Sequence, residues 1–358
     1  MGPGVSERSR RGLVVGGILG SVAAGVAAGL AVERLAVGRQ RLRPDPEARE
    51  PFGRLPGRTR SFRTSDGTHL HVEEVGSGPL TVIFAHGFAL NSAAWHYQRR
   101  DLADVGRLVF YDHRSHGRSA RGPEGSETLD QLGQDLGELI DAVAPRGPVV
   151  LIGHSMGGMT VMSLAAHRPE LFGERVVGVA LVSTAAGQVA EAMLPLPVRA
   201  TGLLTGRIVP RATRVMTRRK NTLEATRRVG SDLAFSLIRR MGFGSNPSPA
   251  QVEFIERIIA ATPIEVIAAY VPTFTTHDKY EALDVVGRVP TLVLVGDRDR
   301  IVPPDQSKEL AARMPGAELV VFDGAGHMLT MERAALVNLH LRAFLRRVGR
   351  TARASRGA

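Results

Sequence analysis

Gly153-His154-Ser155-Met156-Gly157 sets one hydroxyl between glycines, where an apolar run (Val149 to Ile152) gives way to a helical stretch (Met156 to His167). A serine oxygen is a weak nucleophile until a base takes its proton, and the base in turn needs an orienting carboxylate. Both groups lie downstream. Gly296-Asp297-Arg298-Asp299-Arg300-Ile301-Val302-Pro303 carries the carboxylates, with Asp299 the candidate, and Gly324-Ala325-Gly326-His327 carries an imidazole. The order Ser155, Asp299, His327 is one in which such a relay is known to occur. Upstream, His86-Gly87-Phe88 closes another apolar run, so the backbone N–H groups of Phe88 and Met156 are candidates for a two-donor oxyanion hole. Each such donor is worth about 3 kcal/mol to a transition state that develops negative oxygen.

These residues need a scaffold that brings distant loops to one edge. Short runs rich in β-branched residues recur at Thr81–Ala85, Leu108–Tyr111, Val149–Ile152, Val176–Val182, Thr291–Val295 and Leu319–Phe322. Continuous apolar strands of this kind are buried on both faces, as in a parallel sheet covered by helices. Helical stretches at Leu129–Ala144, Met156–His167, Gln306–Met314 and Arg333–Arg346 separate them, and Asp66-Gly67 marks a preceding hairpin. The pattern predicts an α/β, mostly parallel, doubly wound sheet, whose strand carboxyl ends share one rim. Residues 188–287 interrupt the alternation with helix-like sequence and are expected to fold as a lid.

Together these motifs resemble the α/β-hydrolase superfamily, in particular its bacterial serine esterase, lipase and cofactor-free haloperoxidase-like branch, over about residues 60–347. Tyr111-Asp112-His113-Arg114-Ser115-His116-Gly117-Arg118-Ser119 is similar to that family's loop after the fourth strand. The resemblance implies an α/β-hydrolase fold with a helical cap at 188–287, and no metal or organic cofactor. It places the acid four residues before Pro303, which selects Asp299 over Asp297. The activity it implies is hydrolysis of a carboxylic ester, lipid-like esters included, through an acyl-enzyme on Ser155. The alternatives are perhydrolase or haloperoxidase chemistry on the same residues, or a non-catalytic, membrane-tethered binding protein of this fold. The expected organisation is an anchor or export signal at 1–36, a linker at 37–60, a core at 61–187 and 288–347, the cap at 188–287 and a basic disordered tail at 348–358.

Composition narrows the rest. No cysteine is present, which excludes thiolate nucleophiles, disulfides and cysteine-held metals. The net charge of +11 sits at the two ends and in the cap, while the sheet-forming body is mildly acidic. That distribution argues against nucleic acid as a partner and suits contact with an anionic membrane surface through the ends and the cap. Gly12 to Val32 carries no charge and would span about 31 Å as a helix, enough for a bilayer anchor. Ser9-Arg10-Arg11-Gly12-Leu13 keeps export by a twin-arginine-type signal as the alternative. Gly12, Gly16 and Gly20 leave a flat face where a second helix could approach, so a homodimer is open. In the cap, Arg207, Arg211, Arg214 and Arg218 recur at helical spacing, although Pro210 interrupts any helix there. Asp112, His113, Arg114 and His116 look at first like metal ligands, but loop-stabilising bonds are the expectation. The same structural role is expected of His86 and His154.

Overall fold

Val82 and Phe84 face one side of their strand, Ile83 and Ala85 the other, and all four are buried. Only a sheet with helices on both faces accommodates that pattern. A computed structural model describes residues 37–39, 43–187, 189 and 234–357. Its strands are β1 (Arg58–Arg63), β2 (His69–Val75), β3 (Thr81–Ala85), β4 (Arg107–Tyr111), β5 (Val149–His154), β6 (Val176–Val182), β7 (Thr291–Gly296) and β8 (Glu318–Phe322). They form one sheet in the order β1-β2-β4-β3-β5-β6-β7-β8. The β1–β2 hairpin and the β2–β4 pair are antiparallel, and every later pair is parallel. Helices Leu129–Val143, Met156–His167 and Pro304–Arg313 cover the face that buries Ile83, Leu151 and Val293. Helices His96–Asp101 and Ala334–Gly357 cover the other, where Phe84 and Phe110 stack at 4.5 Å. This is the mostly parallel sheet that the sequence pattern predicts, in the arrangement that the α/β-hydrolase resemblance implies.

The insertion after β6 leaves and rejoins the core at one place: Gly187 bridges Asp278, and the Lys279 N–H donates to the Ala186 carbonyl at 2.7 Å. Its described part holds a helix at 234–242, then helices Pro249–Ala261 and Ile264–Thr275, which meet at 91°. Ser248 caps the second of these from the Gln251 N–H, with Pro249 at the first helical position, where its missing donor does no harm. Arg207, Arg211, Arg214 and Arg218 lie outside the described residues, as does the anchor or export segment expected at 12–32. Among the described residues no single helix is long and apolar enough to cross a membrane.

Two expectations need correction. The linker predicted at 37–60 is not a free tether. The Phe52 ring stacks on Phe254 at 4.9 Å, Glu50 reaches His96 at 2.7 Å, Glu47 accepts from Tyr97 and Ser248, and β1 already begins at Arg58. Its prolines and charges read as solvent-loving because their partners lie on other elements. The tail expected to be disordered from 348 continues the last helix to Gly357, because Val348 and Ala352 extend the buried stripe of Val337, Leu341, Phe344 and Leu345.

Candidate active site

Ser155 stands between β5 and helix Met156–His167 with φ 52° and ψ −118°, a backbone that a non-glycine residue adopts at a cost of about 1–3 kcal/mol. The surroundings hold it there. The Ser155 N–H donates to the Val182 carbonyl at 2.9 Å, while its carbonyl accepts from the Gly158 N–H at 2.9 Å and the Thr184 hydroxyl at 2.7 Å. The flanking glycines are required by space: a Cβ on Gly157 would sit 2.0 Å from the Ala85 oxygen, and one on Gly153 would sit 2.5 Å from the Gly157 backbone.

Asp299 and His327 follow β7 and β8 to the same rim. Asp299 Oδ2 lies 2.9 Å from His327 Nδ1, and its Oδ1 accepts the N–H groups of Ile301 (2.9 Å) and Val302 (2.8 Å). Asp297 is exposed and does not meet the imidazole. With Nδ1–H directed at the carboxylate, the lone pair of His327 is left on Nε2. His154, the neighbour of Ser155, then ties the two halves together: its Nε2 is 3.0 Å from the His327 carbonyl and the two rings are 4.9 Å apart. Burial holds the His154 pKa down to about 3, so this ring is neutral and donates. Ser155, Asp299 and His327 therefore gather at one edge, although Ser155 Oγ makes no hydrogen bond to a described residue.

The Phe88 loop rests on three more buried imidazoles. His86 accepts the His113 N–H at Nε2 (2.9 Å), so its Nδ1 carries the proton that goes to the Gly87 carbonyl (2.8 Å). His116 accepts the Ala89 N–H and donates to the Arg114 carbonyl, and His113 Nε2 donates to the His86 carbonyl. Burial keeps His86 at about 3 and depresses His113 and His116 as well. Asp112 accepts the Ser92 and Arg118 N–H groups, and Arg114 grips Asp135 with two bonds. These bonds hold the loop in place, although His113 Nδ1 has no partner among the described residues. The N–H groups of Phe88 and Met156 have no acceptor among the described residues, as donors awaiting an oxyanion would not. Phe88 joins Met156, Met159, Tyr270, Phe274 and Val302 in an apolar cluster, its ring 5.0 Å from that of Phe274.

One contributor carries no sequence signature. The Glu332 carboxylate accepts the N–H groups of Gly326 (2.6 Å), Gly244 (3.1 Å) and Ser245, so it joins the His327 loop to the cap. The Met328 N–H donates to the Gly242 carbonyl at 2.7 Å in the same joint. A local pattern such as [ST]-x-x-E announces a carboxylate–amide bond, whereas Gly244 and Ser245 lie 88 and 87 residues from Glu332. A cavity of about 520 Å³ lies elsewhere, between Gly53–Gly57 and the Glu73, Arg99 and Arg118 side chains.

Comparison with known proteins agrees with this layout. A family profile described as alpha/beta hydrolase fold matches residues 81–334. A non-heme haloperoxidase of Rhodococcus erythropolis is 29% identical over 284 residues, covering 78% of this chain and 97% of that protein. Among solved structures, an esterase of Thermogutta terrifontis is 27% identical with a TM-score of 0.61, covering 82% of this chain and 99% of its own. An enol-lactonase of Burkholderia xenovorans is also 27% identical with a TM-score of 0.61, covering 78% and 96%.

Proposed function

Because the chain belongs to the alpha/beta hydrolase fold family, and is an enzyme of that fold, we propose that it cleaves carboxylic esters with Ser155 as nucleophile. Ser155 Oγ attacks the acyl carbon as its proton passes to His327 Nε2, and Asp299 stabilises the imidazolium through Nδ1–H. The carbonyl oxygen becomes an oxyanion held by the Phe88 and Met156 N–H groups. Collapse expels the alcohol, which takes the proton from Nε2 and leaves an acyl-serine. Water, deprotonated by the same nitrogen, then releases the acid and restores the serine. The observation that carries this reading is the Asp299–His327 bond of 2.9 Å, joined through His154 to the strained serine turn. Hydrolysis of p-nitrophenyl esters of graded chain length tests it. Ser155→Ala should lose about 10⁵-fold in kcat, and equal rates in the two proteins would refute the assignment.

A second reading comes from the haloperoxidase relative. Hydrogen peroxide in place of water would attack the acyl-serine and yield a peracid, which a peracid-trapping dye detects directly. For location, the uncharged run from Gly12 to Val32 supports membrane attachment of the whole chain. Carbonate extraction should leave the full-length protein in the pellet, and full release into the supernatant would overturn attachment.

A further inference from the structure

Some surface arginines of this protein stand beside a carboxylate: Arg58 with Glu74, Arg168 with Asp141, Arg313 with Glu309, Arg347 with Glu318. Around residues 239–246 of the cap arginines gather without one. Arg43 and Arg239 both direct guanidinium nitrogens at one neutral oxygen, Asn246 Oδ1, at 2.8 and 2.7 Å. Arg300 donates to the Arg240 carbonyl, Arg298 to the Gly244 carbonyl at 3.4 Å, and Arg333 to the Ser245 hydroxyl at 3.5 Å. None of these six forms an ion pair with a described carboxylate.

The nearby acids do not restore balance. Glu332 is occupied by three backbone N–H groups, Asp45 by those of Glu47 and Ala250, Glu47 by Tyr97, Ser248 and Gln251, and Asp299 by His327, which leaves, among the described residues, exposed Asp297 and Asp323 against six guanidinium groups. Burial and the charge of Arg43 together lower the pKa of Arg239, as expected for cations crowded without a counter-ion. A surface built this way favours an anionic partner.

We infer that this arginine face of the cap docks on the anionic head groups of a lipid bilayer and sets the rim carrying Asp299 and His327 against the membrane. Three further observations select a bilayer. Leu237, on the same helix as Arg239 and Arg240, is 58% exposed, an apolar side chain that can enter the head-group boundary but gains nothing from a phosphate backbone in water. Val37 is buried in the same apolar cluster as Phe235 and Phe243, so the chain enters the fold at this face. The uncharged run ends at Val32, and five residues reach at most about 18 Å, a tether too short to hold the face far from an anchoring membrane. The inference goes beyond ester hydrolysis and stands whether or not Ser155 is the nucleophile.

The absence of cysteine makes the test direct. Full-length protein carrying Leu237→Cys, labelled with an environment-sensitive fluorophore, is reconstituted in phosphatidylcholine vesicles with or without 30% phosphatidylglycerol. A second protein carries the label at Arg146→Cys, at the opposite rim of the sheet. The expected result is a blue-shifted emission at position 237 on anionic vesicles only, reversed by 0.5 M salt, with no change at position 146. Replacing Arg43, Arg239 and Arg240 by serine should weaken docking about a hundredfold, at about fivefold per arginine near an anionic surface. Equal emission on the two vesicle types, or a shift that survives 0.5 M salt, would overturn the proposal. So would a shift produced by short duplex DNA and not by anionic vesicles, which would assign the face to nucleic acid.

Discussion

Two joints of this molecule pack main chain on main chain, and they differ in what surrounds them. At the serine turn, Gly157 meets the Ala85 backbone at the end of β3, and Gly153 meets the start of the helix that follows β5. At the histidine joint, a Cβ on Gly244 of the cap would sit 2.5 Å from the Ala325 backbone, and one on Gly296 would sit 2.2 Å from the Ala325 oxygen. The first is enclosed by buried strands, whereas the second closes on a half-buried segment held by the Glu332 carboxylate. One should behave as a rigid mount and the other as a joint that yields.

The largest test asks whether the two joints serve one reaction. Asp299→Asn leaves the side chain in place but removes the charge that selects the Nδ1–H tautomer of His327, and kcat for a p-nitrophenyl ester should fall about 10⁴-fold. If the joints act as a unit, the double variant Ser155→Ala/Asp299→Asn is no slower than Ser155→Ala alone. A further multiplicative loss would mean that each joint acts separately.

How far along the chain a residue's partners lie explains what the sequence discloses. The G-x-S-x-G turn, the strand runs and the residue types at 299 and 327 are legible because each depends on its immediate neighbours, including the choice of Asp299, four residues before Pro303. Glu332, Gly244 and the His154–His327 bond are not legible, since their partners come from other loops. The docking of Phe52 on Phe254 is hidden for the same reason. Val348 and Ala352 were available as a continuing helical stripe, yet the surrounding arginines mask it.

A methyl group probes how stiff each joint is. Gly157→Ala forces a Cβ to within 2.0 Å of the Ala85 oxygen, between two buried strands that have nowhere to go. Urea unfolding should show a loss of about 3 kcal/mol. Gly244→Ala meets the Ala325 backbone at 2.5 Å, but its own segment is only half-buried there and can move. Its unfolding free energy should change by about 1 kcal/mol, with the main effect on kcat as the His327 loop shifts. Equal stability losses in the two variants would remove the distinction between a rigid and a yielding joint.

The smallest difference to be read is the share of the acid response that comes from the first joint. His86, His113, His116 and His154 surround the Phe88 loop and the serine turn, and burial depresses all four, His86 and His154 to about 3. An unfolded imidazole titrates near 6.5, so below that pH the unfolded chain binds protons that the folded chain refuses. The stability these rings contribute is complete above pH 6.5 and declines as pH falls toward 3. His86 and His154, held at about 3, should each account for about 1 kcal/mol of lost stability per pH unit in that window. Urea midpoints for the wild type at pH 7.5 and 5.5 measure the total acid response, to which buried His277, held at about 4, also contributes. His116→Gln can still accept from Ala89 and donate to the Arg114 carbonyl, yet it cannot be protonated. It should lose less stability than wild type over the same step. An unchanged slope would mean that the acid response arises outside the imidazole cluster, and the serine turn would then be no more acid-sensitive than the histidine joint.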